Sequence, residues 1–251
     1  MRSFGPAVFA AATAVILAAC GGMIVRDGIT SAKVAEVAHI EDLPGVRFWG
    51  DETPSDFLGE LRRRLPNLPR LAQNAHTADG RPVVEILALS GGGSDGAFGA
   101  GLLTGWTERG DRPEFEVATG VSAGAIIAPF AYLGSNYNAA LKQIWTQYQP
   151  SELVTAQILP GLLGGESLAD TSQLDALIAQ YVDRKFLRAI AREYRKGRIL
   201  LVGTTNLDAQ RPVIWNMGEN AASTPPDAMK LYRKDNMASA AIPGALPPER
   251  F

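Results

Sequence analysis

Apolar positions along this chain change period several times, and each change marks an element. Val83-Val84-Glu85-Ile86-Leu87-Ala88-Leu89 is a short run with branched residues, the pattern of a buried parallel strand. A glycine-rich loop follows, Ser90-Gly91-Gly92-Gly93-Ser94-Asp95-Gly96, and residues 97–109 then carry helical spacing through Phe98, Leu102, Leu103 and Trp106. The sequence repeats this plan at once. Pro113 interrupts the chain, 115–119 predicts a second strand, Gly120-Val121-Ser122-Ala123-Gly124 a second turn, and Ala125-Ile126-Ile127-Ala128 the start of another helix. Residues 139–148 and 171–194 are helical in period, the latter with an apolar stripe of Leu174, Leu177, Ile178, Tyr181 and Val182. Asp170, Asp175 and Asp183 fall on its polar side and read as solvated. Two further strands are predicted over 199–205 and 212–217, joined by a loop, and a helix over 226–241 that ends at Pro243. Strands alternating with helices predict a three-layer α/β/α domain with a mainly parallel central sheet.

The first 81 residues follow a different pattern. Arg2 precedes an apolar run over 7–19, the length of a secretory h-region and shorter than the ~20 residues of a membrane span. The run closes on Leu17-Ala18-Ala19-Cys20, which resembles the lipobox of bacterial lipoproteins. On that resemblance 1–19 is a signal peptide, Cys20 is lipidated, and the protein is exported and membrane-anchored. Gly21 after the cysteine favours the outer membrane. Residues 20–81 read as a tether and lead-in, broken by Pro44, Gly45, Pro54, Pro66 and Pro69, with one helical candidate over 55–65. Arg62-Arg63-Arg64 reads as a solvated face, with contact to anionic headgroups as the other possibility. The expected domain occupies 82–251.

Composition adds exclusions. A chain of 251 residues, 46% hydrophobic and 20% charged, suits one globular domain. A formal net charge of -2 argues against a nucleic-acid partner. One cysteine cannot form an internal disulfide.

The chemistry lies in the two turns. In the first, Gly91, Gly92, Gly93 and Gly96 leave a row of backbone N–H groups unobstructed at a helix N-terminus, where the dipole favours negative charge. The spacing Gly91-x-Gly93-x-x-Gly96 also fits a dinucleotide fingerprint, so the anion is a tetrahedral oxyanion or a pyrophosphate. In the second, Gly120-x-Ser122-x-Gly124 sets a serine between strand and helix, the context of a nucleophile elbow. An N-cap serine between packing glycines is the plainer alternative. Two such turns on consecutive strand–helix units favour a nucleophile and an anion cradle. A triad with histidine after the serine is excluded, because the only histidines, His39 and His76, precede Ser122.

The pairing of SGGGSDGAFGAGLL with TGVSAGAIIAPFAYLG resembles the patatin-like phospholipase family, in particular its bacterial lipoprotein branch. Gly203-Thr204-Thr205-Asn206-Leu207-Asp208-Ala209-Gln210-Arg211-Pro212 and the run from Ala238 to Pro248 extend the match, which covers the chain from Val83 to its end. The resemblance implies a lipid acyl hydrolase of Ser–Asp dyad type that needs no metal or organic cofactor. Ser122 is then the nucleophile, Gly120 and Gly124 shape its elbow, and Gly91, Gly92, Gly93 and Gly96 line the oxyanion hole. Two departures stand out. Asp95 occupies a place where Arg or Lys is frequent. The family's aspartate follows the segment matched by 238–248 in an Asp-Gly pair, whereas Asp27-Gly28, Asp79-Gly80 and Asp95-Gly96 all precede Ser122. The expectation is a domain incomplete at its C-terminus and weak or inactive for want of the base. Asp208, after a predicted strand, is the internal substitute, although a local turn contact suits it better. The alternative is a non-catalytic surface lipoprotein that binds lipid or a partner. The apolar loop over 160–165 reads equally as a lid or a packed turn.

Overall fold

A computed structural model of the chain describes residues 40, 43, 45–52, 58, 59, 62, 64, 77–81, 83–147, 155, 156, 169, 170, 172–223, 227–241, 246, 248, 249 and 251. Residues 1–19, expected to be a signal peptide, together with Cys20, His39, His76, most of the helical candidate over 55–65 and the whole of 160–165, lie outside the described residues.

The elements, in chain order among the described residues, begin with β1 (Arg47–Trp49), β2 (Ile86–Leu89), a single 3-10 turn (Gly93–Asp95), α1 (Gly96–Arg109), β3 (Val117–Val121) and α2 (Ala123–Leu133). A second 3-10 turn (Ser135–Tyr137), α3 (Asn138–Gln147), β4 (Thr155–Ala156) and β5 (Ala169–Asp170) follow. The chain then forms α4 (Ser172–Tyr181), α5 (Arg184–Arg195), β6 (Ile199–Asn206), β7 (Arg211–Asn216), α6 (Met217–Ala222) and α7 (Ala228–Ala240). Five of the described strands make one sheet in the order β1-β7-β6-β3-β2. Its heart is parallel, with Ala118 beside Leu87 on one side and Leu200 on the other. β7 returns from β6 as an antiparallel hairpin, and β1 pairs antiparallel with β7.

One face of this sheet carries Ala118, Leu200, Val202, Val213 and Trp215, all at most 3% exposed. α2 covers it together with α6 and α7, while α1, α3 and α5 pack outside them. α2 is apolar all round because it is buried all round: Ile127, Ala128, Phe130, Ala131 and Tyr132 are each within 4% of full burial. Full burial of one such large side chain stabilises by ~1.5–3 kcal/mol. On the opposite face Ile86 and Val121 remain 64% and 50% exposed among the described residues. The class is the mixed α/β architecture that the pattern predicts, with the described helices on one face of the sheet.

Three details depart from that reading. The 171–194 stretch is two helices, because Asp183 adopts an extended conformation and its carboxylate accepts the Phe186 N–H at 2.7 Å. The residue read as solvated is therefore an N-cap. The lead-in contributes β1, whose Trp49 ring is overlaid by Arg47 and Arg211. Arg64 is held rather than solvated: its guanidinium lies 3.5 Å from the centre of the Tyr194 ring and donates to the Tyr194 carbonyl.

Candidate active site

Both glycine turns come off the carboxyl ends of adjacent parallel strands, where open α/β sheets place their ligands. β3 runs up to Val121, and the next residue, Ser122, bends with φ 55° and ψ -122° before α2 begins at Ala123. Positive φ at a non-glycine residue holds ~1–3 kcal/mol of strain and persists only where its surroundings impose it.

The surroundings here are backbone. A Cβ on Gly120 would stand 2.5 Å from the Gly124 carbonyl carbon and 2.7 Å from the Ala125 nitrogen. A Cβ on Gly124 would stand 2.7 Å from the Ser90 carbonyl oxygen and would run into that of Leu89. Neither neighbour is a flexible side chain, so both positions accept only glycine in this geometry. The elbow thus presses on the end of β2, the strand that leads into the other turn.

Across that seam, a Cβ on Gly91 would lie 3.1 Å from the Ser122 Cβ and 3.7 Å from its Oγ. The cradle therefore starts beside the serine hydroxyl. Gly93 takes φ 54° in the following 3-10 turn, and the Asp95 N–H closes that turn on the Gly92 carbonyl at 3.0 Å. Among the described residues the Gly91 and Gly92 amides donate to no backbone acceptor, and both residues are exposed. Gly96 differs from them. Its N–H is engaged by the Gly93 and Ser94 carbonyls, and a Cβ there would stand 2.6 Å from the Trp145 indole. Its fit to the fingerprint spacing has a packing cause, the closeness of α1 to α3.

The carboxylates are arranged otherwise. Asp208 sits exposed at the tip of the β6–β7 hairpin, where Asn206 Oδ1 accepts the N–H groups of Asp208 and Ala209 at 3.0 and 2.8 Å. Ser122 is level with the strand position just past Gly203, so this tip lies about 10 Å farther along the strand direction. Asp79 is exposed in the turn of residues 77–81, paired with Arg81 at 2.7 Å. Asp95 is exposed at the start of α1. Among the described residues no carboxylate is hydrogen-bonded to the Ser122 hydroxyl; the Ser122 amide donates to Ser239 Oγ at 2.8 Å, and its carbonyl accepts from Ala125 and Ile126 in the first turn of α2. Ser239 lies within the run from Ala238 to Pro248, but nothing in its local pattern marks a contact across 117 residues.

Comparison with known proteins adds one match. The family model described as patatin-like phospholipase covers residues 87–251, which include both turns, the β6–β7 hairpin and α7. No curated protein matches the chain.

Proposed function

The chain belongs to the patatin-like phospholipase family, and from that membership we propose that it hydrolyses lipid acyl esters with Ser122 as nucleophile. The observation that carries the proposal is the strained elbow at Ser122 packed against Gly91. Ser122 Oγ attacks the ester carbonyl, the amides of Gly91 and Gly92, which have no backbone acceptor among the described residues, meet the oxyanion with Gly93 shaping their loop, and the alcohol leaves an acyl-serine that water then cleaves. The N-terminus of α2 favours the charge developing on Oγ. The proton of Oγ passes to a carboxylate in a Ser–Asp mechanism, and none of Asp79, Asp95 and Asp208 occupies that place. Among the described residues the proposed nucleophile and cradle are thus without an assigned base, and ester turnover by residues 1–251 is expected to be slow.

A serine-directed fluorophosphonate reads the nucleophile directly. Labelling mapped to Ser122 and lost in Ser122→Ala supports the proposal; an unlabelled chain, or label that survives the substitution, sinks it. That no carboxylate is bonded to the Ser122 hydroxyl among the described residues also favours a second reading, a lipid-binding surface lipoprotein with an inert serine. Liposome binding without labelling favours that reading.

We further propose that residues 1–19 are a signal peptide and that lipidated Cys20 anchors the protein in the outer membrane. Two or more acyl chains suffice for stable anchoring. Mass spectrometry of the mature N-terminus tests this, and Cys20→Ser should shift the protein from the detergent phase to the aqueous phase.

A further inference from the structure

We infer that Ser239 is a positioning residue for the Ser122 elbow, its hydroxyl standing in for one rung of the central sheet. This rests on Ser122 being the nucleophile.

The first bond between β3 and β6 sets the phase of the parallel ladder. The Ile199 N–H donates to the Glu116 carbonyl at 2.8 Å, beside the pair Val117 and Ile199. Advancing two residues along each strand repeats that pattern. Past the last pair, Val121 and Gly203, the next rung would join the Ser122 N–H to the Gly203 carbonyl. The chain leaves the sheet at that point, because Ser122 has φ 55°. A direct bond is replaced by a relay: the Ser122 N–H donates to Ser239 Oγ at 2.8 Å, and Ser239 Oγ–H donates to the Gly203 carbonyl at 2.7 Å. Only a group that accepts and donates at one atom can fill the gap, and a hydroxyl does so.

The consequence is mechanical. The amide that would otherwise relax toward β6 is held off the sheet in the strained conformation. Ser122 Oγ consequently stays beside Gly91. The same bond satisfies the Ser122 amide, so the oxyanion is left to the glycine loop. Ser239 stands in the last turn of α7, and the position of that helix end is thereby linked to the geometry of the nucleophile.

Two measurements on the full chain test this. In the unsubstituted protein, amide hydrogen exchange should show the Ser122 N–H protected like a sheet amide, while those of Gly91 and Gly92 exchange freely. A freely exchanging Ser122 amide overturns the inference whatever any variant does. Fluorophosphonate labelling, normalised to folded protein, should slow about ten- to a hundredfold in Ser239→Ala, the scale of a small misplacement of a reacting atom. Ser239→Thr, which keeps the hydroxyl, should recover most of the rate. A purely structural serine would lower the unfolding midpoint of Ser239→Ala but leave the labelling rate of folded molecules unchanged, and that outcome also overturns it. If the unsubstituted chain is not labelled, the assignment of Ser122 fails and this role fails with it; the exchange pattern still reports whether the relay exists.

Discussion

The same substitution, glycine to alanine on a helix, should have opposite effects at Gly124 and Gly101. Helix propensity alone favours alanine by ~0.8–1.0 kcal/mol at either position. At Gly101, exposed on α1, a Cβ meets nothing within 4 Å, so Gly101→Ala should stabilise by up to that amount. At Gly124 the added carbon would stand 2.7 Å from both the Leu89 carbonyl carbon and the Ser90 oxygen. Relief requires α2 and the end of β2 to part by roughly 0.5–1 Å, and overpacking of this kind costs ~1–3 kcal/mol. Net of propensity, Gly124→Ala should destabilise by up to about 2 kcal/mol. The displaced elbow should also slow fluorophosphonate labelling by up to about a hundredfold. Urea unfolding of the three proteins, with labelling of the folded fraction, gives both quantities. The reasoning fails if Gly124→Ala is as stable as the parent, or if the two variants move stability in the same direction.

Asp235 is fully buried on α7, with Oδ1 lacking a partner among the described residues and Oδ2 taking a 3.2 Å bond from Asn220. Burial holds its carboxyl well above the usual carboxylate range, against the weaker pull of Asn220. The folded protein keeps a proton that the unfolded chain releases above about pH 4, so this group lowers stability as pH rises from there. Thermal midpoints of Asp235→Asn and the parent should converge near that pH and separate in favour of the variant by pH 8; a less stable variant at pH 8 refutes the assignment. Arg198, at the opposite end of the strands from Ser122, donates to the Phe115 carbonyl at 2.9 and 2.6 Å and to Glu193 at 3.2 Å, and lies 4.5 Å from the Tyr132 ring centre. Arg198→Met should cost about 3 kcal/mol in chemical unfolding while leaving the labelling rate of folded molecules unchanged.

Local pattern reveals the centre of this fold. The strand–turn–helix units around Gly91 and Ser122 repeat within fifty residues, and both hydrophobic period and turn residues mark them. Most of the parts it concealed are held by distant partners, the Asp183 cap being the local exception. Residues 47–49 become a strand because β7 offers an edge, more than 160 residues later. Asp183 becomes a cap because the chain turns at that point, although the apolar stripe continues through it. Gly96 completes the fingerprint spacing, but the residue that requires it to be small is Trp145 on another helix. Ser239 lies within the run from Ala238 to Pro248, and only the ladder phase gives its hydroxyl a task.

The glycines of the two turns are therefore separable in role though alike in sequence. Gly120 and Gly124 let three backbone segments meet, and Gly96 lets two helices meet. Gly91 lies against the side chain that those contacts aim. Because Gly124 abuts the carbonyls of Leu89 and Ser90, the first turn of α2 rests on the segment that immediately precedes the cradle. Any movement of β2 must then carry the elbow and the Gly91 amide together. This shared seam keeps the distance between nucleophile and anion donors insensitive to changes elsewhere in the sheet, and it places the sensitivity at the seam itself.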